Sequence, residues 1–345
     1  MPFTPGFQLA EALDLLAMCA NVEDEATSPI PPVPPGWTLV FDSPVIGTFD
    51  EKWQLWRNAA GRWAIVLRGT VMRAGSIFED LISILVGAAG VITVGPHPIP
   101  YRFAADTAAG VHLGFALGTL LLLKDREHGI LAQVAARGIA PGDVYITGHS
   151  QGAAMATLLR SYLEYAPDAP AGCAYKTYVF AQPKPGNGHY ALDFDARFAN
   201  AGLAFRVTNS LDWVPQVPFT LEFLQDVDRP NPLSVLASPS LLMSLLTKLL
   251  ERAVDDARSL VETHARAHLQ EKVAALARTV APEPVPAAAL LSSGFDVPVL
   301  HSLAFASAGT EVALIGTSPS GDEGHDAFFE HHTTTYYRLL QAQLA

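Results

Sequence analysis

The sequence predicts an α/β protein with a mostly parallel central sheet and helices on both faces. Two observations carry this. Apolar runs of strand length, Trp63–Leu67, Val144–Thr147, Thr177–Ala181, Ala204–Thr208 and Glu311–Ile315, are separated by segments with helical patterning. Strands and helices alternating at that spacing build a parallel sheet covered by its own crossovers. Half of the 345 residues are apolar and 16% are charged, which excludes global disorder and supplies a core large enough to bury both sheet faces.

Taken in order, residues 8–20 place Leu9, Leu13, Leu16 and Ala20 on one face of a short amphipathic helix. Ser28–Pro35 is Pro-rich and reads as extended or turn. The strand Trp63–Leu67 ends at Arg68-Gly69-Thr70, and Gly and Pro scattered through residues 71–109 read as a long, loop-rich connection. Val111–Asp125 reads as a buried helix, with Gly114 and Gly118 as points of close packing. Val144–Thr147 is a strand that runs straight into the helix Ala153–Tyr162, and His331–Leu344 closes the chain as a helix. Ser240–Ala281 is helical and bracketed by prolines; as one rod it would be about 60 Å long, so two helices are expected there. Residues 1–36 thus form an N-terminal helix and Pro-rich lead-in. Residues 37–345 form one domain that carries a helical insertion over 219–300.

The balance of 22 basic and 34 acidic residues gives a net charge of −12, which argues against nucleic acid as a partner and against electrostatic attachment to anionic lipid. Two cysteines, Cys19 and Cys173, provide neither a disulfide framework nor a thiolate metal cage. The apolar stretches Leu81–Gly95 and Val111–Leu123 are shorter than a membrane span. The first residues lack a basic n-region and carry Glu11 and Asp14, so a location in the cytoplasm or peripheral to a membrane is expected, with non-standard export open. Oligomeric state is not readable.

Gly148-His149-Ser150-Gln151-Gly152 is a G-x-S-x-G sequence between a strand and a helix. In that setting the serine is held out on a tight turn, and flanking glycines remove the Cβ atoms that would clash. The helix N-terminus offers backbone N–H groups to a developing oxyanion.

Five stretches in order resemble the class 3 lipases, the α/β-hydrolase family of the fungal triacylglycerol lipases. They are Ile65–Thr70, Val111–Phe115, Gly148–Gly152, Phe180–Asn187 and Arg206–Pro215. The resemblance covers roughly residues 37–218 and 301–340. Gln151 stands where Leu is common. The resemblance implies an α/β-hydrolase fold and a carboxylic ester hydrolase that needs no metal or organic cofactor. It implies a lipid or other small ester as substrate, met at a lipid–water interface. A lid is implied over 71–109.

The family order then assigns the remaining roles. Asp212, in the loop after Ala204–Thr208, is the acid; Asp193, Asp195 and Asp226 lack the matching context. The base follows Asp212, among His264, His268, His301, His325, His331 and His332. His331 fits a His-x-x-x-x-Tyr336 pattern before the closing helix, and His332 stays as the alternative, because the sequence does not separate the adjacent pair. Thr70 and Gln151 take the two oxyanion positions. His112 and His149 are structural by resemblance. His264 and His268 have a metal-ligand spacing but no third ligand and read as a polar helix face. Two alternatives stand beside a lipase: an esterase for short-chain or aromatic esters, and an inactive lipid-binding homologue.

Overall fold

The computed structural model describes residues 3–23, 30, 33–47, 51–69, 84–94, 97–220, 270, 273–279, 295–296, 299–300, 302–317 and 328–344. Seven strands form the central sheet: β1 (Trp37–Asp42), β2 (Trp53–Asn58), β3 (Trp63–Leu67), β4 (Asp143–His149), β5 (Ala174–Phe180), β6 (Ala204–Asn209) and β7 (Thr310–Leu314). They lie side by side in chain order. β1, β2 and β3 pair antiparallel, and every pair from β3 to β7 is parallel. This is the mostly parallel sheet that the resemblance to α/β-hydrolases implies.

Alternation along the strands sends side chains into two cores. Ile65, Leu67, Val144 and Ile146 face one layer, which holds α2 (Leu113–Lys124) and α3 (Gln151–Tyr165). Ala64, Val66, Tyr145 and Tyr178 face the other, which holds α1 (Leu9–Val22) and α4 (Thr333–Leu344). Gly118 lets α2 approach α3: a Cβ there would stand 2.7 Å from Met155 Sδ. Both cysteines are free thiols.

The N-terminal helix is an integral part of the second layer. Glu11 reaches across the sheet to accept from Tyr145 OH at 2.7 Å, Tyr178 OH at 2.7 Å and Lys176 Nζ at 2.8 Å. Lys176 is fully buried and also donates to the Thr4 carbonyl. A charge buried this deeply requires such partners.

Three sequence expectations are corrected. The described part of 71–109 is mostly strand rather than loop: residues 85–87, 89–94 and 97–102 are strands. Val91-Ile92-Thr93-Val94 is a β-branched run, and Pro98 and Pro100 lie on the edge strand of a three-stranded sheet, where a missing N–H is tolerated. Val111–Asp125 is a strand at Gly110–His112 followed by helix α2. His331 and His332 precede α4 instead of starting it; Phe329–His331 is a 3₁₀ turn. The bulk of the insertion lies outside the described residues. Its helical residues 273–277 are buried in the first core, and its strands 295–296 and 299–300 pair with 93–94 and 85–86.

Candidate active site

β4 ends at His149 and α3 begins at Gln151, which leaves Ser150 on the turn between them with φ 56° and ψ −132°. That backbone is strained for a residue with a Cβ, and it persists only because its surroundings fix it. The Ser150 N–H donates to the Phe180 carbonyl at 3.0 Å, and the Ala153 N–H donates to the Ser150 carbonyl at 2.9 Å. The two motif glycines are required by contact. A Cβ on Gly148 would stand 2.3 Å from the Gly152 carbonyl oxygen, and one on Gly152 would stand 2.3 Å from the Leu67 carbonyl oxygen.

The C-terminal ends of β4 and β6 bring three predicted residues together. His331 Nε2 lies 2.8 Å from Ser150 Oγ, and His331 Nδ1 lies 2.8 Å from Asp212 Oδ2. Asp212 Oδ1 accepts from the Val214 N–H at 3.0 Å, and Oδ2 also accepts from Tyr336 OH at 2.8 Å. Because the carboxylate accepts at Nδ1–H, Nε2 is left with a lone pair toward the serine hydroxyl. Burial pushes the His331 pKa below its ordinary value, against the opposing attraction of Asp212. Burial also pushes the Tyr336 hydroxyl well above its ordinary value, which keeps it a donor to Asp212. His332, the alternative, is half-buried, and its backbone N–H closes the 3₁₀ turn.

Of the supports, sequence reasoning missed Tyr336, Asn209 and Glu23, whereas His149 and His112 are expected to be structural. Tyr336 served only as a landmark, yet its hydroxyl joins Asp212 to the Asn209 N–H, 3.1 Å away. The Asn209 side chain donates to the Glu330 carbonyl at 2.9 Å, tying β6 to the turn that carries His331. His149, 126 residues from Glu23 in sequence, lies between Glu23 and the His331 backbone. His112 caps α2 by accepting from the Phe115 N–H.

Gln151 stands at the first position of α3, where its N–H points out of the helix end. Thr70 lies outside the described residues; a Cβ on neighbouring Gly69 would stand 3.2 Å from Ser150 Cβ, so the turn leading into Thr70 flanks the nucleophile. Asp193 and Asp195 are engaged elsewhere, Asp193 with the N–H groups of Ala105 and Asp106 and Asp195 with that of Gly309. Asp226, His264, His268, His301 and His325 lie outside the described residues. Among the described residues no cluster of His, Cys, Asp or Glu could hold a metal ion, and no helix is long and apolar enough to cross a membrane.

Residues 64–222 match the family Lipase (class 3). That span is under half of the chain, and over it the chain is similar to the class 3 lipases. It is similar to the secreted mono- and diacylglycerol lipase LIP4 of Malassezia restricta, 40% identical over 74 residues, which is 21% of this chain and 23% of that protein. It is also similar to LIP1 of Malassezia globosa, 39% identical over 75 residues, covering 22% of this chain and 23% of that protein. The chain thus spans under a quarter of the length of these curated relatives. Among solved structures, M37 lipase aligns with 60% of this chain and 68% of its own, at 20% identity and a TM-score of 0.45. The expected cytoplasmic or membrane-peripheral location is corrected by this finding, since both curated relatives are described as secreted.

Proposed function

We propose that this chain is a lipase, a carboxylic ester hydrolase that cleaves acyl esters of glycerol or similar lipids through an acyl-enzyme. The observation that carries the reading is the continuous hydrogen-bonded path from Ser150 Oγ through the His331 ring to Asp212, with both links at 2.8 Å. Ser150 Oγ attacks the ester carbonyl carbon while His331 Nε2 takes its proton. Asp212 and Tyr336 hold the ring in the tautomer that makes Nε2 the base and stabilise the imidazolium. The tetrahedral oxyanion is received by backbone N–H groups, that of Gln151 and that of Thr70. Collapse breaks the ester C–O bond, and His331 returns its proton to the leaving alcohol. Water, deprotonated by the same nitrogen, attacks the acyl carbon and releases the acid and Ser150.

The glycerolipid substrate rests on the family match and on the relatives' description as mono- and diacylglycerol lipases. A rate series tests it, using p-nitrophenyl esters of increasing chain length together with mono-, di- and triacylglycerols. The lipase reading expects rates to rise with acyl length and to increase when substrate aggregates. A maximum at the shortest esters with no response to aggregation would instead make it an esterase. No hydrolysis of any of them, with Ser150 inert to a fluorophosphonate, would leave the inactive lipid-binding alternative.

A further inference from the structure

His149 takes no part in the acyl-transfer steps, yet it touches the backbone of the base. Its Nε2 lies 2.7 Å from the His331 carbonyl oxygen, its Nδ1 lies 3.2 Å from Glu23 Oε1, and the two histidine rings are 4.7 Å apart. A carbonyl oxygen only accepts, so Nε2 must carry the proton of the first bond. Nδ1 faces a carboxylate, which also accepts, so the second contact needs a proton of its own. The pair therefore holds one proton more than a neutral imidazole beside a carboxylate would need to make the first bond alone. An imidazolium against a carboxylate balances the charge at side chains that are 3% and 12% exposed.

Glu23 stands just past the C-terminus of α1. The same Oε1 lies 3.1 Å from the position a Cβ on Gly69 would take, which is itself 3.0 Å from the His149 carbonyl oxygen and 3.2 Å from Ser150 Cβ. One carboxylate from the N-terminal helix is thus wedged between the turn entering Thr70 and the nucleophile turn.

We propose that Glu23 and His149 are a positioning pair for the catalytic base. The proton held between them keeps the His149 ring oriented so that Nε2–H grips the His331 carbonyl, and that grip aims His331 at Ser150. Asn209 holds the neighbouring Glu330 carbonyl, and His149 holds that of His331 itself. Neither member of the pair reaches the reacting atoms. The inference rests on the ester-hydrolase reading.

The test compares wild type with Ser150→Ala, Glu23→Ala, Glu23→Gln and His149→Ala, with active sites counted by the endpoint of fluorophosphonate labelling. Wild-type hydrolysis and its loss in Ser150→Ala check the hydrolase reading separately. Glu23→Ala and His149→Ala are expected to lower kcat per labelled site about 10–100-fold, the scale of a misplaced catalytic group, with KM little changed because substrate contacts are untouched. Glu23→Gln is expected to recover most of the rate, since its amide N–H can donate to Nδ1 of a neutral His149 while Nε2–H still serves the carbonyl. The downfield proton resonance of the His331–Asp212 bond should shift in the alanine variants and return in Glu23→Gln. If Glu23→Ala does not fold, Glu23→Asp, which keeps the charge but withdraws the carboxylate by one methylene, should give the same fall in kcat. Wild-type kcat per labelled site in the folded variants, whatever their melting temperatures, overturns the proposal, as does a glutamine variant no better than alanine.

Discussion

His331 sits almost wholly out of water between Ser150 and Asp212, and burial outweighs the attraction of the carboxylate in setting its pKa. A base works only when neutral, so a lowered pKa keeps His331 competent into mildly acidic solution. The kcat/KM profile is expected to lose activity on acidification with a midpoint below 6.5, the ordinary histidine value; a midpoint above it contradicts this account of the ring. Substitution separates the adjacent histidines. His331→Ala should lower kcat/KM by at least about 10³-fold, the scale of a lost general base. His332→Ala should change it little, because that side chain lies outside the hydrogen-bonded path. At this scale the sequence was informative where chemistry dictates residue type at fixed spacing, as at Gly148–Gly152 and Asp212. It was silent on Tyr336, Asn209 and Glu23, whose roles depend on contacts between residues more than a hundred positions apart.

Two of the elements that reach the site, the β4–α3 turn and helix α1, are held by contacts that a single substitution upsets. Gly152→Ala would place a methyl group 2.3 Å from the Leu67 carbonyl, which is backbone and has no rotamer to yield. A loss of about 3 kcal/mol or more is expected, read as a lower urea midpoint. Glu11→Ala would leave Lys176 buried without its carboxylate; about 3 kcal/mol is expected, at the low end for a broken buried pair because Glu11 keeps some contact with water. An unchanged urea midpoint would show that α1 is not anchored there. The strands of the parallel sheet were legible because burial on both faces makes them continuous apolar runs. Residues 85–102 were not, because prolines on an edge strand and short antiparallel pairs look like loop when read locally.

The molecule as a whole joins two segments that the sequence treats as separate. The strands at 85–87 and 89–94 pair with 299–300 and 295–296, so the return of the insertion is stitched to the connection that follows Thr70. Residues 273–277 fill the same core as α2 and α3. Removing all of 219–300 would therefore open the core, and any shortened form that tests a cap over Ser150 must keep 273–279 and 295–300. The sequence also suggests that 71–109 or the insertion 219–300 could roof Ser150, and residues 71–83, 221–269 and 280–294 lie outside those described. The central claim is that Ser150 is the nucleophile of an ester hydrolase. Its most direct measurement is peptide mapping of the folded protein after graded reaction with a fluorophosphonate, with residual ester hydrolysis followed in the same samples. One adduct per chain, on Ser150, with activity lost in proportion to labelling, is the expected result. An adduct elsewhere, or full hydrolysis with Ser150 completely modified, would contradict it.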